Sequence, residues 1–91
     1  MTEAADITVI DGLFGDLMAA STPYLNADER AEVQHFIDQA EYGVALETFV
    51  HVFVEGGKSA TPQVFALITR LTGMMQMRLD DTLEKIPRLP S

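Results

Sequence analysis

The residues best equipped for chemistry in this sequence are two histidines flanked by carboxylates. Glu32 and His35 stand as E-x-x-H, while Glu47, His51 and Glu55 follow one another at i, i+4 and i+8. The first spacing is used by di-iron carboxylate bundles, in which a glutamate and a histidine three residues apart project inward from one helix. Such a site also needs a second E-x-x-H and two more inward glutamates. Here the second pair is Glu47 and His51, four residues apart, and both pairs fall away from the apolar positions of their segments. A metal-binding carboxylate and histidine helical bundle on Glu32, His35, Glu47 and His51 is therefore one alternative reading, with an incomplete ligand set; a regulatory adaptor binding another protein is the other. The expectation is two surface histidines beside acids, with no metal and no cofactor.

Other chemistries lack their parts. The 91 residues contain no cysteine, which removes thiolate nucleophiles, thiolate metal sites and disulfides together. There is no G-x-S-x-G, no glycine-rich phosphate loop and no H-E-x-x-H. No Asp-Ser-Leu begins a helical segment to accept a carrier protein's prosthetic arm. The chain reads as a non-enzyme without catalytic residues.

Charge is more informative. The net charge is −8, and it is uneven: residues 1–57 hold eleven acids against Arg30 alone, while residues 58–91 hold five bases against three acids. This asymmetry argues for steering toward a basic partner and against binding nucleic-acid phosphates or anionic lipid. Arg70 and Arg78, expected to face solvent, and Lys85 and Arg88 in the tail are too sparse for a recognition helix. No apolar run approaches the roughly 18 residues of a membrane span. The start, MTEAADITVI, has two acids and no basic region, so it does not read as a secretory signal. A soluble, cytoplasmic protein is expected.

The acids are not evenly spread even within the acidic part. Asp38, Glu41 and Glu47, with Glu32 and Glu55 at the flanks, gather around Tyr42. A tyrosine among carboxylates suits a protein interface, since the ring supplies rigid apolar area and the acids meet lysine or arginine on a partner. The other reading folds Tyr42 back onto the core and leaves the acids as a solvated face.

Apolar residues recur with a helical period in four segments, about 6–21, 27–40, 42–55 and 62–79, and no stretch alternates long enough to demand a strand. In the first, Ile7, Ile10, Leu13, Phe14, Leu17 and Met18 form a stripe opposite Gly12, Gly15 and Ala19. Asn26 and Glu29 make a capping box for the second, whose core residues are Val33, Phe36, Ile37 and Ala40. The third has an apolar arc too wide for a surface helix, Ala45, Leu46, Phe49, Val50, Val52, Phe53 and Val54, and stops at Gly56 and Gly57. Thr61 and Pro62 open the fourth, with Val64, Leu67, Ile68, Leu71, Met75 and Leu79 on its core face. Gly43, inside an otherwise helical pattern, is expected to mark the corner between the second and third helices. The tail KIPRLPS is expected to wrap or fray. Short connections imply largely antiparallel neighbours, so residues 1–91 are expected to form a single all-α domain, a compact four-helix bundle with a short C-terminal tail.

The run IDQAEYGVALETF, from Ile37 to Phe49, resembles the I-D-x-x-E-Y-G-x-A-L-E signature of small helical immunity proteins of bacterial polymorphic-toxin and contact-dependent inhibition systems, in particular the MafI-like group. The residues that carry the resemblance are Ile37, Asp38, Glu41, Tyr42, Gly43, Ala45, Leu46 and Glu47. Ala40 departs from the glycine or small polar residue expected there. The resemblance implies a helical, acidic protein that protects its cell by binding a cognate toxin domain; because many toxins of these systems are cationic nucleases, it also implies a nuclease as the partner, in agreement with the acidity. The expected contact residues are Asp38, Glu41, Tyr42 and Glu47, then Glu32, His35, His51 and Glu55.

Overall fold

Apolar residues spaced for one face of a helix are the residues the fold removes from water. In the computed structural model, which describes residues 2–89, five α-helices form an all-α bundle: α1 (Thr2–Ser21), α2 (Ala27–Asp38), α3 (Tyr42–Glu55), α4 (Pro62–Met74) and the short α5 (Asp80–Glu84), with a 3-10 turn at Thr22–Tyr24. No strand occurs among the described residues. The main packing partners are α1 with α4 and α2 with α3. The radius of gyration, 12.4 Å, matches the roughly 12 Å expected of a folded chain of this length.

The core centres on α3, whose Ala45, Leu46, Phe49, Val50 and Phe53 are all buried. Phe49 and Phe53, one turn apart, stack at 4.8 Å between ring centroids. Leu13, Phe14 and Leu17 meet them from α1, Val33 and Ile37 from α2, and Val64, Ile68 and Leu71 from α4. Two buried hydroxyls among the described residues bond back to their own helices, Ser21 to the Leu17 carbonyl and Thr72 to that of Ile68. No buried side-chain nitrogen or oxygen among the described residues lacks a partner. Ile7, expected in the stripe, is instead 53% exposed.

Helix starts follow the sequence signals. Asn26 Oδ1 accepts from Glu29 N–H at 2.8 Å and Glu29 Oε1 accepts from Asn26 N–H at 2.9 Å, a reciprocal capping box. Thr61 Oγ1 accepts from Val64 N–H at 3.1 Å, ahead of Pro62 in the first turn.

Three helices stop in the same way. After α2, Glu41 N–H reaches the Phe36 carbonyl and Ala40 N–H that of Ile37; after α3, Lys58 and Gly57 bond to Phe53 and Val54; after α4, Met77 and Gln76 bond to Thr72 and Gly73. This is the Schellman arrangement, and it needs one left-handed residue. That residue is Ala40 (φ 57°), Gly57 (φ 62°) or Gln76 (φ 54°). The corner between α2 and α3 thus turns on Ala40, which is exposed rather than in the core, and α2 ends at Asp38 rather than at residue 40. Gly43 lies inside the first turn of α3 and is not the hinge. The same motif ends α4 at Met74 instead of residue 79, and the chain then returns through α5. Helix α1 begins at Thr2, earlier than the expected Asp6.

The tail wraps. Leu83 and Ile86 enter the core, Ala60 N–H donates to the Pro87 carbonyl at 2.7 Å, and Leu89 N–H donates to the Ala60 carbonyl at 2.9 Å. Arg88 lies over the Phe65 ring, 4.7 Å from its centroid. This clasp ties residues 87–89 to the start of α4.

A non-glycine residue in the left-handed region costs about 1 kcal/mol relative to glycine. Ala40→Gly and Gln76→Gly are therefore each expected to stabilise the protein, raising its midpoint by about 4 to 8 °C per kcal/mol gained. Gly57→Ala should destabilise it by about 1 kcal/mol. Thermal and urea unfolding check the set, and destabilisation by both glycine substitutions would show that side-chain packing at those turns outweighs backbone strain.

Candidate partner-binding surface

Val33 and Ile37 of α2 and the five buried residues of α3 decide which faces are left to solvent. Glu32, His35 and Asp38 of α2, Glu41 at the corner, and Glu47, His51 and Glu55 of α3 are all exposed. The fold divides them into groups. Glu32 lines a shallow depression of about 330 Å³ with Glu47, Thr48, His51 and Val52. Glu47, His51 and Glu55 also form one wall of a groove of about 310 Å³ faced by Leu79, Thr82 and Lys85. Glu47 and His51 therefore form a ridge between two recesses.

Asp38 and Tyr42 belong elsewhere, to a recess of about 360 Å³ where α1, α2 and the start of α3 meet. His35 lines none of these depressions and presents its ring edge-on to Phe36 at 5.4 Å. Glu41 occupies the N-cap position of α3 but makes no side-chain capping bond.

Tyr42 is not the freely displayed aromatic that the sequence suggests. Its ring is half-buried and stacks on Phe14 with 5.6 Å between centroids and 23° between planes. Its hydroxyl donates to Asp11 Oδ1 at 3.0 Å. Desolvation raises its pKa first, and the hydrogen bond to Asp11 and that carboxylate's charge raise it further. The phenol thus ties α3 to α1 in its neutral form.

The acids are mostly left to solvent. Among the described residues the one ion pair is Lys58 with Glu29, at 3.2 Å. Glu29 already accepts the Asn26 N–H of its capping box, and that bond, then Lys58, holds its pKa below the ordinary glutamate range against an opposing desolvation. Glu32, Glu41, Glu47 and Glu55 have neither an ion pair nor a side-chain hydrogen bond among the described residues.

Among the described residues the bundle interior offers no metal ligand. Its buried residues are apolar apart from Ser21 and Thr72, and Glu32, His35, Glu47 and His51 face outward. No three of the described histidine, aspartate and glutamate side chains are grouped so as to hold a metal ion. Nor, among the described residues, is any helix long and apolar enough to cross a membrane.

Asp11, Gly15 and Gln34, which share the recess with Asp38 and Tyr42, were not among the residues expected at the surface site. Asp11 and Tyr42 are 31 residues apart in the chain, and no local pattern joins them. Comparison with family models, curated proteins and solved structures finds no match to this chain.

Tyr42→Phe keeps the stack on Phe14 and removes the bond to Asp11, at an expected cost of about 0.5 kcal/mol. Tyr42→Ala loses the stack too and should cost about 2 kcal/mol, discounted for half-burial. A phenol whose folded pKa is raised supports the fold fully below its unfolded pKa, near 10, and that support is lost as pH rises through the folded value. Wild type should consequently lose more stability in alkali than Tyr42→Phe does. Parallel alkaline unfolding curves for the two proteins would contradict this assignment.

Proposed function

We propose that this chain is a non-enzymatic immunity protein that binds a cognate bacterial toxin domain one-to-one and neutralises it, the toxin being a cationic nuclease and the setting the cytoplasm of the protected cell. The observation that carries the reading is the row Glu47, His51 and Glu55, joined by Glu32: exposed, lining two recesses, and with no ion pair to the carboxylates among the described residues. The resemblance of Ile37 to Phe49 to the immunity-protein signature supports it from the sequence side.

The mechanism needs no catalytic group. A nuclease must present cationic side chains to bind phosphates. An acidic inhibitor approaches such a surface at steered rates, and its carboxylates take the place of substrate phosphates. Half-buried Val54, beside the acids in the groove, supplies apolar surface at the centre of the contact, with buried Val50 at the groove's base. His35, Asp38 and Glu41 contribute at the periphery, while Tyr42 fixes α3 against α1.

Co-expression with the product of the gene immediately upstream is the direct test, with rescue of growth and co-purification both expected. Failure of both would overturn the proposal. In the complex, Glu32→Gln, Glu47→Gln and Glu55→Gln together should slow association by about tenfold at low salt, with the difference shrinking at high salt as charges are screened. Association rates identical to wild type at every ionic strength would move the contact away from this face.

A further inference from the structure

The recess between α1, α2 and the corner lies apart from the Glu47–Glu55 ridge and has a different chemistry. Its walls bring together Asp11 and Gly15 of α1, Gln34 and Asp38 of α2, Ala40 and Tyr42. Each carboxylate is held by an uncharged donor. Tyr42 Oη donates to Asp11 Oδ1 at 3.0 Å, and Gln34 Nε2 donates to Asp38 Oδ1 at 2.9 Å. Both anions are thereby oriented without an ion pair among the described residues, and no described basic side chain lines the recess. The aromatic wall is fixed by its stack on Phe14.

We propose that this recess seats an arginine side chain of the partner, with its guanidinium bonded to Asp11 and Asp38 and its stem against Tyr42. The inference rests on the reading of the chain as a binder of a cationic protein, and adds to it a defined subsite. Arginine fits better than lysine because its planar fork carries five donors for two separate carboxylates and packs against an aromatic ring. A carboxylate held by one neutral donor retains free lone pairs for such a fork. Gly15 keeps the wall low: a Cβ built there meets no atom within 4 Å. A larger residue at 15 would therefore occupy the recess rather than disturb the packing.

The experiment uses the full chain and nuclear magnetic resonance titration with N-acetyl-arginine methylamide, against the lysine and citrulline analogues. Arginine is expected to shift the amide signals of Gly15, Gln34, Asp38 and Tyr42, lysine to shift them less, and the uncharged citrulline not at all. Gly15→Leu, which plugs the recess and replaces a helix-interior glycine, should keep or raise the melting temperature and weaken arginine binding at least tenfold. Asp11→Asn with Asp38→Asn preserves both acceptors, removes the charge and should do the same. Equal shifts from citrulline, or undiminished arginine binding in both variants, would overturn the subsite. The toxin separates the two levels. If Gly15→Leu and the double Asn variant bind it as wild type does, while the Glu32, Glu47 and Glu55 variant binds poorly, the arginine seat is wrong and the proposed function stands. If arginine occupies the recess and no toxin is bound or neutralised, the seat stands and the function does not.

Discussion

Helix α3 is too apolar to lie on a surface, and the rest of the fold answers that constraint. Its buried residues, Ala45, Leu46, Phe49, Val50 and Phe53, span an arc of roughly 140° at 100° per residue, and half-buried Val52 and Val54 flank it, so neighbours must approach from several sides. Burying large apolar side chains stabilises by about 1.5–3 kcal/mol each, the dominant favourable contribution in a chain without disulfides. The direction in which α3 is not covered is equally determined. Glu47, His51 and Glu55 share one strip, and that strip is what the fold leaves to water. That exposed acidic strip is thus a by-product of the demand for a core.

Turns then decide where the remaining helices can go. Stopping α2 after Asp38 and α4 after Met74 with a left-handed residue reverses the chain within a few positions, and both stops use a residue with a side chain. The cost is local, and the return is long-range. The first turn brings Tyr42 against Phe14, and the second frees residues 75–89 to carry Leu83 and Ile86 back into the core and to clasp Ala60. Without the second turn, a longer α4 would leave the bundle open at that end.

What could be read from the sequence was local and strong. The Asn26–Glu29 box, Thr61–Pro62 and Gly56–Gly57 each combine a residue type with a fixed offset, and each marks an end in the structure. The two non-glycine stops escaped because Ala40 and Gln76 have no special propensity for the left-handed region; only the tertiary need to turn puts them there. Helix α5 escaped because five residues are too few to show a period. At the surface, the outward direction of Glu32, His35, Asp38, Glu47, His51 and Glu55 follows from their phase. Their division between separate recesses depends on how α1 lies against α2 and α3, and Asp11 enters only through that packing.

Charge placement shows which acids serve the fold. Asp28 and Glu29 sit in the first turn of α2, where the helix dipole favours anions, and Glu29 also caps and pairs with Lys58. Asp38 and Glu55 do the reverse. They are the last residues of α2 and α3, at helix ends where the dipole disfavours a carboxylate by about 0.3–1 kcal/mol. No described base pairs with either, even though Lys85 lines the same groove as Glu55. Folding alone would be better served by lysine or arginine at both positions. Carboxylates that oppose their own helices and remain unpaired gain from a cation brought by another molecule, because pairing then relieves an unfavourable interaction as well as adding a favourable one.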